Sequence, residues 1–213
     1  MIVTNATVSV KIQTQIAADE ITATYNTNKD LVITLKDGQG KALSGFKVIV
    51  DLNGVREYVT DASGQIKVQT KGLVPKTYTA KITFNGDDTY DKASKEVKVT
   101  VKKATPKIIA KKKTYKAKAT KKFTITLKDN TGKPIKNAKV RLIVKKIVKK
   151  TKKTNKKTKT KKKYKKNIKK TNKKGKATFK VKRNKKGKYW ATVKYYGNNN
   201  YKAITKKVKI TIK

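Results

Sequence analysis

The chain has 213 residues, enough for one or two domains, and carries 59 Lys and Arg against 12 Asp and Glu, a formal net charge of +47. It contains no Cys and no His, which removes disulfides, cysteine nucleophiles, imidazole bases and most zinc and iron sites together. No apolar run approaches the ~18 residues of a membrane span, and the opening Met1-Ile2-Val3-Thr4-Asn5 lacks the basic and apolar regions of a signal peptide, so an exported protein would hold this chain as an excised piece.

In chain order the predicted elements are strands. Val8-Ser9-Val10-Lys11 resembles Val99-Thr100-Val101-Lys102 and reads as a strand entering from a preceding repeat. Leu31, Ile33 and Leu35 alternate with polar neighbours, as do Val48 and Val50, then Ile66 and Val68. Tyr78, Ala80, Ile82 and Phe84 form the longest run of period two, and Val97, Val99 and Val101 the last of the first half. Such alternation is the mark of a strand with one buried face. Asp37-Gly38-Gln39-Gly40, Thr60-Asp61-Ala62-Ser63-Gly64 and Asn85-Gly86-Asp87-Asp88 separate the runs, supplying side-chain oxygens and glycines suited to tight turns.

The pattern then repeats. Residues 31–48 match 123–140 at an offset of 92, with nine of 18 positions identical, and residues 64–101 match 175–212 without a gap at an offset of 111. The second copy therefore holds 19 extra residues between the two blocks. With about seven strands per copy and turn signals every ~8–12 residues, the expected fold is all-β, two tandem sandwiches. The expected domains are 1–103 and 104–213, joined through Val101–Pro106, with a long Lys-rich hairpin insertion at about 146–169.

The motifs resemble the bacterial Ig-like repeats of large adhesin-like surface proteins of methanogenic archaea. The resemblance rests on Leu-Lys-Asp-x-x-Gly-Lys-x-Leu/Ile at Leu35–Leu43 and Leu127–Ile135. It continues in Gly-x-Ile/Ala-x-Val/Phe at Gly64–Val68 and Gly175–Phe179, and in Tyr-x-Ala-x-Ile/Val-x-Phe/Tyr-x-Gly-x-x-x-Tyr at Tyr78–Tyr90 and Tyr189–Tyr201. It covers about residues 8–213 apart from the insert. It implies an Ig-like sandwich, an extracellular stalk or adhesive role at the cell surface, neighbouring repeats in a longer chain, and no catalysis.

Charge is divided unequally. Residues 1–103 hold 15 Lys and Arg with 11 acids, whereas residues 104–213 hold 44 with Asp129 as their one acid. Residues 145–176 alone contain 19 Lys. The candidate polyanion-binding residues are Lys149, Lys150, Lys152, Lys153, Lys156, Lys157, Lys161, Lys162, Lys163, Lys165 and Lys166. The run reads either as a repulsive edge that blocks strand-to-strand aggregation or as an electrostatic attachment to anionic cell-wall polymer or surface glycan. Only Arg56, Arg141 and Arg183 are Arg, so nucleic acid, the alternative partner, is expected to bind without sequence preference. No membrane insertion is expected.

The remaining candidates are weaker. Asp87, Asp88 and Asp91 form an acidic turn able to hold Ca²⁺ as the one conceivable cofactor, although Asn198-Asn199-Asn200 replaces it in the second copy and such turns need no metal. Tyr78, Tyr90, Tyr189 and Tyr201 read as buried anchors with satisfied hydroxyls. Trp190, next to Tyr189, falls on the opposite face and is the candidate for an exposed aromatic contact, or for cover by Lys stems. A Lys–Asn or Lys–Asp crosslink in the second copy would require Asp129 as its proton shuttle, yet Asp129, like Asp37, sits where a strand enters a turn. Asn5-Ala6-Thr7 is an N-x-Ser/Thr sequon.

Overall fold

A computed structural model describes residues 10–147 and 167–213. Among these residues every regular element is a strand, and the chain divides into two units, Met1–Lys102 and Lys103–Lys213. The first unit contains β1 (Thr14–Ala18), β2 (Ile21–Thr24), β3 (Asp30–Asp37), β4 (Lys47–Asp51), β5 (Val55–Val59), β6 (Gln65–Gln69), β7 (Thr77–Phe84) and β8 (Ala93–Lys102). The second contains β9 (Lys107–Ile109), β10 (Lys113–Tyr115), β11 (Lys122–Lys128), β12 (Lys139–Lys146), β13 (Ile168–Lys170), β14 (Lys176–Lys180), β15 (Gly187–Tyr195) and β16 (Ile204–Ile212).

Both units are sandwiches of one topology. A three-stranded sheet, β1-β3-β6 or β9-β11-β14, faces a five-stranded one, β2-β8-β7-β4-β5 or β10-β16-β15-β12-β13. Each unit has eight described strands rather than about seven because its first strand is divided. β1 pairs antiparallel with β3 in one sheet, and β2, two residues on, pairs parallel with β8 in the other. A strand that changes sheets must break its ladder, and the break falls at Asp19-Glu20 and at Ala110–Lys112. The expected entering strand differs too. Val10 is 87% exposed and outside any strand, whereas Val99 and Val101 are buried in β8.

The alternating runs form the cores. Leu31, Ile33, Leu35, Val48, Val50, Ile66, Val68, Ala80, Ile82, Phe84, Val97 and Val99 are buried in the first unit. Phe123, Ile125, Leu127, Val140, Leu142, Phe179, Ala191, Val193 and Ile210 are buried in the second. Between the sheets, one buried threonine per unit ties two corners. Thr60 Oγ1 donates to the Leu43 carbonyl (2.6 Å) and accepts from the Phe46 amide (3.0 Å). Thr171 repeats this with the Ile135 carbonyl (2.6 Å) and the Ala138 amide (2.9 Å).

The tyrosines at the start of β7 and β15 are corner pieces. The buried Tyr78 donates its hydroxyl to the Val74 carbonyl (3.0 Å), and Tyr189 to the Lys185 carbonyl (2.7 Å), the tyrosine-corner arrangement of Ig-like sandwiches. Tyr195 is the contrast: its buried hydroxyl has no hydrogen-bond partner among the described residues, and the residue at its position in the first unit is Phe84. Tyr189→Phe is expected to cost about 1 kcal/mol, and Tyr195→Phe to be neutral or to stabilise by up to about 1 kcal/mol, because only the former loses a made bond. Burial also raises the Tyr195 pKa above its ordinary value of 10.0. A folded-state pKa above the unfolded one leaves stability intact below pH 10 and erodes it as pH rises further. Tyr195→Phe should remove that part of the alkaline loss, which urea titrations at pH 7 and pH 11 will read.

The 19 additional residues lie between β12 and β13. Val140 pairs with Lys169 as Val48 pairs with Tyr58, so Ile168 and Lys169 belong to the shared strand rather than to the insert. β12 continues past the end of its first-unit counterpart and pairs with β15 as far as Lys146 opposite Tyr189. The eleven candidate lysines, Lys149 to Lys166, and the Asn5-Ala6-Thr7 sequon lie outside the described residues.

Candidate polyanion-binding face

On β15 the buried residues Tyr189, Ala191 and Val193 alternate with Lys188, Trp190, Thr192 and Lys194 on the outer face of the five-stranded sheet. Register sets the cross-strand neighbours. Trp190 lies between Lys145 of β12 and Lys209 of β16, Thr192 is opposite Lys207, and Lys194 is opposite Arg141. The half-buried Trp190 ring has the Lys209 Nζ 5.5 Å from its centroid, within range of a cation–π attraction. A groove of about 460 Å³ opens here, lined by Lys112, Lys113, Lys188 and Lys209 together with Trp190 and Ile147.

The same face of the first unit is electrostatically different. Lys81 pairs with Glu96 at 3.4 Å, Lys98 with Glu20 at 3.8 Å and Lys47 with Glu57 at 3.8 Å. At the matching positions of the second unit, Glu20 becomes Lys112 and Glu96 becomes Lys207, while Thr77 becomes Lys188 and Thr79 becomes Trp190. Two acids that balanced this face have become lysines, and a threonine has become the only tryptophan of the chain. These three side-chain ion pairs belong to the first unit. Asp129, the one acid of the second unit's sequence, sits in the turn after β11.

Comparison of the fold with solved structures matches this chain to invasin, described as a bacterial integrin-binding protein, at 17% identity and a TM-score of 0.50. The fold is immunoglobulin-like. The match covers 94% of this chain and 39% of the invasin chain. Lower similarity is found with the adhesin InvE of Yersinia pseudotuberculosis, at 12% identity and TM-score 0.39 over 92% of this chain and 58% of that one. The titin domains Z1Z2, solved with telethonin, give 9% identity and TM-score 0.40 over 94% and 96%. No protein-family model matches the sequence, and no curated protein does.

The other candidate residues are in structural positions of these Ig-like units. Asp87 Oδ1 accepts from the Thr89 and Tyr90 amides, both at 2.8 Å. Asn198 Oδ1 accepts from the Asn200 and Tyr201 amides at 2.9 Å in the same way, so a neutral amide closes this turn as well as a carboxylate. Asp87, Asp88 and Asp91 are not brought into a metal-holding group, and among the described residues no three acidic, His or Cys side chains are. Asp129 Oδ1 accepts from the Thr131 amide (2.9 Å), the Lys133 amide (2.8 Å) and the Thr131 hydroxyl (2.8 Å). The buried Lys121 gives its amine to the Ala117 and Ala119 carbonyls, at 2.6 and 2.8 Å, and not to an Asn or Asp side chain as a crosslink would require.

Sequence reading placed Trp190 on the face opposite Tyr189 but did not gather Lys112, Lys113, Lys188 and Lys209 around it. Part of the signal was present. The outward positions of Lys188–Tyr195 and Lys207–Ile212 are Lys, Trp and Thr throughout. Their neighbours on β10 and β12 are set by register, which alternation does not encode.

Proposed function

We propose that the two units are stalk repeats of an exported, adhesin-like cell-surface protein of the methanogen type, and that the second holds anionic cell-wall polymer or surface glycan. The role is structural and adhesive rather than catalytic. One observation carries this reading. On a shared Ig-like scaffold, the second unit has exchanged the paired charges of the first for unopposed cations, with Lys112 and Lys207 standing where Glu20 and Glu96 stand. A fold has no need of such a change, since mutual repulsion destabilises it, whereas a polyanion releases counterions when it meets a dense lysine field. The eleven candidate lysines between Lys149 and Lys166 add to that field. The similarity to invasin supports the fold, and the repeat motifs support the surface setting.

The test is binding of the full chain to isolated anionic wall polymer and to duplex DNA across a salt series. Affinity for the polymer is expected to fall by about 10³–10⁵ between 50 and 200 mM salt if roughly 6–10 charges are engaged. Replacing the eleven lysines by Gln should flatten that slope. Absence of binding at physiological salt would make the chain a spacer alone. Tighter binding to DNA than to wall polymer would instead favour a non-specific nucleic-acid module.

A further inference from the structure

We propose that the groove around Trp190 is a sugar subsite, at which one residue of an acidic polysaccharide stacks on the indole while Lys112, Lys113, Lys188 and Lys209 hold its carboxylate or sulfate groups. This deepens the function proposed above and rests on it, but it places the site on the five-stranded sheet rather than in the insert.

Three features carry the assignment. The first is composition: four lysines and a tryptophan line the groove, with no carboxylate among the lining residues. A pyranose presents an apolar C–H face to an aromatic ring and hydroxyls and anionic groups at its rim, and a tryptophan ringed by ammonium groups matches both. The second is the comparison of the two units. The corresponding first-unit positions are Glu20, Ile21, Thr77 and Lys98 around Thr79, and there Lys98 is engaged by Glu20 at 3.8 Å. The second unit has removed the internal counter-ion and supplied the ring. The third is rigidity. Trp190 and Lys188 are carried by β15, Lys209 by β16 and Lys113 by β10, three adjacent strands of one sheet, so the groups are positioned before a ligand arrives and little ordering is needed on binding.

The same face favours a glycan over a single-stranded nucleic acid. Stacking platforms for bases set aromatic rings close enough for successive bases. Here the next aromatic of the same parity is Tyr196, just past the end of β15, 57% exposed and with its hydroxyl 3.5 Å from Arg141. It is six residue steps from Trp190, about 20 Å at the rise of a strand. Between the two rings lie Thr192 and Lys194.

Because Trp190 is the only tryptophan, its fluorescence in the full chain reports this groove directly. Titration with polygalacturonate is expected to quench and shift its emission saturably. Trp190→Thr, which restores the first-unit residue on the same sheet face, should weaken polygalacturonate binding about tenfold or more, as for loss of one stacking contact, and Trp190→Phe should recover most of it. Lys188→Thr and Lys209→Gln should each lower the salt slope by about one. Circular dichroism of each variant will confirm the retained fold. If polygalacturonate binds while the emission and the Trp190→Thr affinity stay unchanged, the subsite is wrong and the lysine field alone accounts for binding. If no polyanion binds at all, the underlying function falls with it. If poly(dT) quenches Trp190 at lower concentration than polygalacturonate, the ligand is nucleic acid and the sugar assignment is overturned.

Discussion

Phe179→Ala is expected to lower the unfolding free energy of the second unit by about 3–5 kcal/mol. Phe179 and Phe123 are fully buried and lie directly opposite each other across β14 and β11. Together they supply the largest apolar volume of the three-stranded sheet, whose counterpart pair in the first unit is Leu31 opposite Val68. Single domains of this size are stable by about 5–15 kcal/mol, and the loss is therefore a large part of the total. Trp190 lies in the second unit and the first unit has no tryptophan, so a urea titration followed by its fluorescence reads this unit within the full chain. A shift below about 1 kcal/mol, well under the usual cost of a lost core phenylalanine, would mean that the three-stranded sheet is not what closes the core.

Gly175→Ala should be nearly as damaging, for a different reason. Gly175 has φ 68°, a left-handed conformation that costs side-chain-bearing residues about 1 kcal/mol or more. A Cβ there would also sit 2.5 Å from the Leu127 carbonyl oxygen. That oxygen has no freedom to retreat, because it accepts from the Ile135 amide (3.1 Å) while the Leu127 amide donates back to the Gly175 carbonyl (2.8 Å). Strain and overlap together are expected to cost about 2–4 kcal/mol. Gly132→Ala is the control. Its φ is 87°, yet a Cβ would meet nothing within 4 Å, so it should cost only the conformational part, about 1 kcal/mol. Equal losses at the two positions would refute the overlap. Gly64 repeats the geometry in the first unit, with a Cβ 2.6 Å from the Leu35 oxygen, and this close approach is the physical reason for the glycine of the Gly-x-Ile/Ala-x-Val/Phe motif.

Much of this architecture was legible in the residues themselves. The period-two runs from Leu31 to Val101 name the buried faces because a strand turns successive side chains to opposite sides. Asp37 and Asp129 announce their turns because a carboxylate can accept from amides two and four residues on, as both do. The tyrosines of the repeated Tyr-x-Ala motif are anchors because a buried phenol needs one acceptor, and the chain four residues back supplies it at Val74 and Lys185. These are local matters of side-chain chemistry and spacing.

What only the tertiary structure decided is non-local. The division of the first strand between two sheets is invisible in Thr14–Thr24, since β1 and β2 are each ordinary short strands and differ only in the partner that accepts them, β3 antiparallel or β8 parallel. The Trp190 groove is of the same kind. Lys112 and Lys209 are 97 residues apart in sequence and meet because β10 runs parallel to β16 while β16 lies antiparallel to β15. By itself the sequence determined which side chains face outward and how strongly the second half is charged. Which of those outward cations surround the one tryptophan was decided by strand order and register, because the hydrogen-bonded ladder fixes a strand's neighbours, and the alternation of its own residues carries no record of them.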